Sequence, residues 1–73
     1  MEKLPVAKHL NDLEYKFLLE TYAEHNSSMD FEDRKNHTLS DITKVERNIS
    51  ENCLNVYYND GNWWHYTPNK TWY

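Results

Sequence analysis

Apolar side chains recur at helical spacing in the first third of the chain, and Asp12 to His25 contains neither Gly nor Pro, so a helix is predicted from Asp12, ending near Asn26-Ser27-Ser28. Asn11 is a good cap, Glu14 three residues on completes a capping box, and Leu10 is placed to staple onto Tyr15. At about 100° per residue Tyr15, Leu18, Leu19 and Tyr22 share one face, with Leu13 and Phe17 in a second patch nearly opposite. Two patches call for two partners: the core of the chain for one, and a second molecule or a covering segment for the other.

Residues 1–10 lack clean periodicity and contain Pro5, which reads as an extended N-terminal arm. Residues 26–37 are polar apart from Met29 and Phe31 and read as a linker between helices, with Phe31 expected to plug into the core. Beyond it Ile42, Val45, Ile49 and Cys53 lie on one helical stripe, predicting a second helix over 39–52 capped by Thr38 or Ser40.

Asp60-Gly61 is the clearest turn signal, since a two-residue type I′ hairpin needs positive φ at both positions. That turn would pair Tyr58 with Trp63, Tyr57 with Trp64, Val56 with His65 and Asn55 with Tyr66. Pro68 opens another turn that returns Thr71-Trp72-Tyr73 as a short strand. The predicted class is therefore α+β: a single domain over 1–73 with two helices packed on one face of a three-stranded antiparallel β-meander, order ααβββ. Leu54, Val56 and Tyr58 with Trp63 would face the helices, leaving Tyr57, Trp64 and Tyr66 toward solvent.

With 73 residues the chain has room for one core, and its three Trp, six Tyr and two Phe supply much of the area to close it. One cysteine excludes an internal disulfide. No apolar run spans a bilayer, and Met1 to Leu10 lacks the core of a secretory signal, so the expected setting is the cytoplasm. Four Asn-x-Ser/Thr matches, at Asn26, Asn36, Asn48 and Asn69, are read as chance in so Asn-rich a chain. The net charge of −4 disfavours a generic nucleic-acid binder. It is uneven: residues 1–33 hold eight acids against three bases, and residues 34–73 hold four against five.

No motif assembles a nucleophile, a base and a pocket, and the lone glycine belongs to the hairpin instead of a phosphate loop, so no enzyme activity and no cofactor are expected. Cys53 reads as a small core residue, and His9, His25, His37 and His65 are not spaced as a zinc set, so no metal is expected either.

What remains is binding. The aromatic load, the two-faced first helix and the acidic first half predict a protein-interaction module that contacts another protein, or a second copy of itself, through Tyr57, Trp64, Tyr66, Trp72, Leu13 and Phe17. In its small size and its Asn- and Tyr-rich, acidic composition the chain resembles the accessory proteins with which bacteriophages and other mobile elements of low-GC bacteria inhibit host or defence factors. That resemblance implies an inhibitor or modulator acting in the cytoplasm of a bacterial host. The alternative is a winged-helix DNA-binding regulator, with the helix over 39–52 presenting Lys44, Arg47 and Asn48 to the major groove and the 54–67 hairpin as the wing.

Overall fold

Asn11 starts the first helix as expected: its side chain accepts the Glu14 backbone N–H at 2.8 Å, and the Glu14 carboxylate accepts the Asn11 backbone N–H at 2.8 Å. The computed structural model describes residues 3–73. Helix α1 covers Asp12–Ser28 and α2 Phe31–Lys35; strands β1 (Ile42–Asn48), β2 (Cys53–Tyr58) and β3 (Trp63–Tyr66) follow. Two helices and an antiparallel sheet of order β1-β2-β3 make an α+β fold with the expected ααβββ order. Several elements sit elsewhere along the chain than the periodicity implied, and each shift has a local cause.

The arm, whose residues 1 and 2 lie outside the described part, is not extended throughout. Pro5–Ala7 forms a single 3-10 turn, with Pro at a position where the missing N–H costs no hydrogen bond. Ala7 and Leu10 are buried, and the Leu4 backbone N–H donates to the Tyr15 hydroxyl at 3.2 Å. The Leu10–Tyr15 pairing is thus part of the core, and the arm helps to build it.

Helix α1 ends at Ser28, within the expected stretch, where Ser27 and Ser28 donate their hydroxyls back to the carbonyls of Glu24 and His25. Its buried stripe is Tyr15, Leu18, Thr21 and His25, so half of it is polar. In the former linker Asp30 caps α2 by accepting the Asp33 backbone N–H at 3.0 Å. Phe31 does not enter the core; it is 73% exposed, with the Lys35 ammonium 5.9 Å from its ring centroid.

The helix expected over 39–52 is instead a 3-10 turn, Leu39–Asp41, followed by β1 and the turn into β2. The misleading interval is Ile42 to Val45. Both are buried although three residues apart, because the register slips between Ile42 and Lys44: a bulge adds one residue and restarts the alternation. A bulged strand and one turn of helix then look alike in sequence. The rest of the stripe is not a stripe, since Ile49 is 82% exposed in the β1–β2 turn, where Asn52 takes φ 52°.

At the β2–β3 hairpin the loop has three residues. Tyr58 donates its N–H to Asn62 O at 2.8 Å, Gly61 donates to Tyr58 O at 3.1 Å, and Gly61 alone takes positive φ, at 90°. Asn59, with negative φ, and Asp60 occupy the turn, and Gly61 supplies the left-handed residue that follows it. The pairing is Tyr57 with Trp63, Val56 with Trp64, Asn55 with His65 and Leu54 with Tyr66, one residue from the expected register. A one-residue slip turns every β3 side chain over. Trp64 and Tyr66 therefore face the helices with Leu54, Val56 and Tyr58, and Trp63 faces away.

Residues 71–73 run along the edge of β3 as expected, joined by a Tyr66–Trp72 bridge and by His65 and Tyr73 exchanging backbone bonds at 2.9 and 3.1 Å. The core lies between α1 and the sheet. Ala7, Leu10, Tyr15 and Leu18 close onto Ile42, Val45, Leu54, Val56, Tyr58 and Tyr66. Each fully buried aliphatic side chain there contributes about 1.5–3 kcal/mol of burial free energy.

Candidate functional site

With one sheet face packed on α1, alternation assigns the other to Lys44, Glu46 and Asn48 from β1, Cys53, Asn55 and Tyr57 from β2, and Trp63 and His65 from β3. Tyr57 and Trp63, cross-strand partners, stack at 5.4 Å with 20° between their planes. Trp63 and His65 follow at 4.9 Å, and His65 stacks on Tyr73 at 4.3 Å with 5° between the rings. The result is a continuous aromatic row across the open face. Trp63 is 46% exposed and Tyr73 60%.

Polar groups hold both ends of the row. Tyr57 donates its hydroxyl to Glu46 Oε1 at 2.8 Å, and the Lys44 ammonium lies 5.7 Å from the Tyr57 ring centroid. Tyr73 donates to Glu51 Oε2 at 3.0 Å. These carboxylates make the phenols harder to ionise, raising Tyr57 above its ordinary value and Tyr73 to about 12, so both remain donors at neutral pH. Reciprocally, the Tyr57 hydrogen bond lowers Glu46.

Beneath the sheet lies a buried polar chain. Tyr66 is fully buried, and its hydroxyl meets His25 Nδ1 at 2.7 Å and the Tyr58 hydroxyl at 2.5 Å. Burial, with a smaller contribution from His37, pulls His25 down to about 4, so its ring is neutral at pH 7. Burial pushes Tyr58 up to about 12 and raises Tyr66 as well. His37 donates through Nδ1 to Asp33 O at 2.7 Å; its Nε2 is 2.7 Å from Asp60 Oδ2, in contact but off the line of a good hydrogen bond.

The residues expected to form one surface are dispersed. Tyr57 is on the outer face, but Trp64 is half-buried on the helix side, 4.6 Å from His25 and 5.6 Å from both His37 and Tyr58. Tyr66 is inaccessible, and Trp72 stacks on His25 at 5.0 Å. Leu13 is 77% exposed on α1, away from the row, while Phe17 packs half-buried at the core's margin. Of the alternative set, Lys44 and Asn48 face outward but Arg47 points to the helix side, where Glu14 binds it.

Trp63, His65 and Tyr73 were missed because a two-residue turn was assumed. A signal was there: that register sets His65 beside Val56 on the buried face, whereas a three-residue loop gathers Trp64 and Tyr66 with Val56 and Leu54 and puts His65 outside.

Three shallow recesses of about 220, 310 and 330 Å³ lie elsewhere, and the aromatic row lines none of them. Among the described residues no helix is long and apolar enough to cross a membrane. No family model, curated protein or solved structure matches the chain.

Proposed function

We propose that this chain is a small non-enzymatic protein-binding module whose contact surface is the row Tyr57, Trp63, His65 and Tyr73, flanked by Lys44. The observation that carries the reading is the stack itself: large rings held in register on an open sheet face, two of them about half exposed or more. Rings already fixed by stacking and by hydrogen bonds to Glu46 and Glu51 lose little freedom on contact, which favours them as anchors.

A protein suits this face better than a nucleic acid. Carboxylates flank both ends of the row and the chain carries −4 overall, so phosphates would be repelled. The winged-helix alternative lacks its recognition helix, since Lys44, Arg47 and Asn48 belong to β1. The finer reading, an accessory protein of a phage or mobile element acting on a host or defence protein in a bacterial cytoplasm, draws its support from composition.

The test is capture with the tagged chain from a low-GC bacterial lysate, with and without nuclease, beside a Trp63→Ala variant shown to be folded. A protein that survives nuclease and is lost with Trp63→Ala supports the reading. Retention by the folded variant, or recovery of nuclease-sensitive nucleic acid in its place, overturns it.

A further inference from the structure

The turn that links β1 to β2 places Glu51 beside two side chains of the outer face. Donor atoms of Glu51, Cys53 and His65 all lie within 4.8 Å of one another. Spacing along the sequence does not bring these residues together; the thiol and the imidazole meet through the pairing of β2 with β3, and Asn52 at φ 52° turns the chain between Glu51 and Cys53.

His65 is oriented as a ligand would be. Its Nδ1 is 3.2 Å from the main-chain oxygen of Tyr73, which can only accept, so Nδ1 carries a proton. Nε2 then faces Glu51 Oε2 at 3.3 Å. Two lone-pair-bearing groups converging at that distance are arranged to share one cation. Cys53 completes the group from beneath, 4% exposed.

We propose that Glu51, Cys53 and His65 bind one thiophilic divalent cation, with Zn²⁺ the best match. One sulfur, one imidazole nitrogen and one carboxylate oxygen suit zinc, which takes such donors tetrahedrally and leaves a fourth position for water. Bonds of about 2.0–2.3 Å in that geometry put donors roughly 3.3–3.6 Å apart. The His65–Glu51 pair already has that spacing, and the other separations, within 4.8 Å, would close by small side-chain rotations of Cys53 and Glu51. On binding, the Cys53 S–H bond breaks, a sulfur–metal bond forms and one proton leaves to solvent. The backbone pairing of His65 with Tyr73 and the Tyr73 bond to Glu51 form an outer shell that orients two of the three ligands. Unlike the binding reading above, this site makes no demand on a partner; its effect would be to fasten the β1–β2 turn to β3.

The test is titration of the reduced, purified chain with Co²⁺ and then Zn²⁺. One Co²⁺ per chain, a thiolate-to-cobalt absorption band displaced by Zn²⁺, and release of one proton are expected. The band should vanish in Cys53→Ser and His65→Ala, affinity should fall at least about tenfold in Glu51→Gln, and His9→Ala should behave as wild type. Zinc-edge X-ray absorption on the wild-type chain gives a reading independent of whether the variants fold: a sulfur scatterer at about 2.3 Å supports the site. A shell of nitrogen and oxygen alone, absence of the thiolate band, or undiminished affinity in folded Cys53→Ser would overturn it.

Discussion

Glu14 and Arg47 form a two-point ion pair, Nε to Oε2 at 2.5 Å and Nη2 to Oε1 at 2.6 Å, that joins the first turn of α1 to β1. Glu14 also completes the capping box, and Arg47 reaches the His9 carbonyl at 3.2 Å, so the contact fixes where the helix starts and how it meets the sheet. The Arg47 hydrogen bond is the main reason Glu14 is lowered to about 2. A lysine cannot reproduce the forked contact, so Arg47→Lys should lower unfolding free energy by about 1 kcal/mol, read as a shift in the urea midpoint.

Acid should loosen the fold before carboxylates titrate. His25 has a value of about 4 when folded against 6.5 ordinarily, so the unfolded chain binds more protons between those limits. Stability from this group is complete above about pH 6.5 and lost as pH falls toward about 4, by at most about 3 kcal/mol. Urea midpoints from pH 7.5 to 4.5 should fall more steeply in the wild type than in His25→Gln; parallel slopes would remove His25 as the cause. Below that range a second stabilising contribution, from Glu14, is complete above pH 4.5 and is lost as pH falls through about 2.

The Tyr66 hydroxyl serves two buried neighbours, His25 Nδ1 and the Tyr58 hydroxyl. Tyr66→Phe keeps the ring and strands both groups, which should cost about 1–3 kcal/mol. Thermal or urea unfolding checks this, and a neutral outcome would mean the buried chain is satisfied in another way.

The hairpin register predicts opposite behaviour for adjacent tryptophans. Trp63→Ala should leave stability nearly unchanged and remove partner binding, whereas Trp64→Ala should destabilise by about 3 kcal/mol or more, since its ring fills space between His25, His37 and Tyr58. Circular dichroism melts of the two variants distinguish this register from the two-residue alternative.

Gly61 can be tested without a steric complication. A Cβ there would meet nothing within 4 Å, but φ is 90°. Gly61→Ala should therefore cost about 1 kcal/mol from backbone conformation alone, measured by denaturant unfolding.

How much of this was legible depends on the range of the interaction that decides each element. The start of α1 is written in Asn11 and Glu14, because a capping box is closed within four residues. The fold class follows from one long helix and a hairpin signal. The strand at 42–48 was illegible because a bulge imitates helical spacing, and only pairing with β2 reveals it. The composition of the aromatic row was lost with one residue of register, although its existence was not: Tyr57 was identified, and Trp64 stood in for its neighbour. The Glu51–Cys53–His65 group unites a turn with two strands, and local spacing carries no trace of such a meeting.

The bulge beside Thr43 has one more consequence. In the order β1-β2-β3, β1 is the outermost strand on its side of the sheet. A straight rim of unpaired N–H and C=O groups is a template on which another chain can grow an extra strand. The register break interrupts that rim near its start, and charged Lys44, Glu46 and Arg47 follow within the same strand. The irregularity that disguises β1 in the sequence thus also guards an aromatic-rich chain against polymerising through its own sheet.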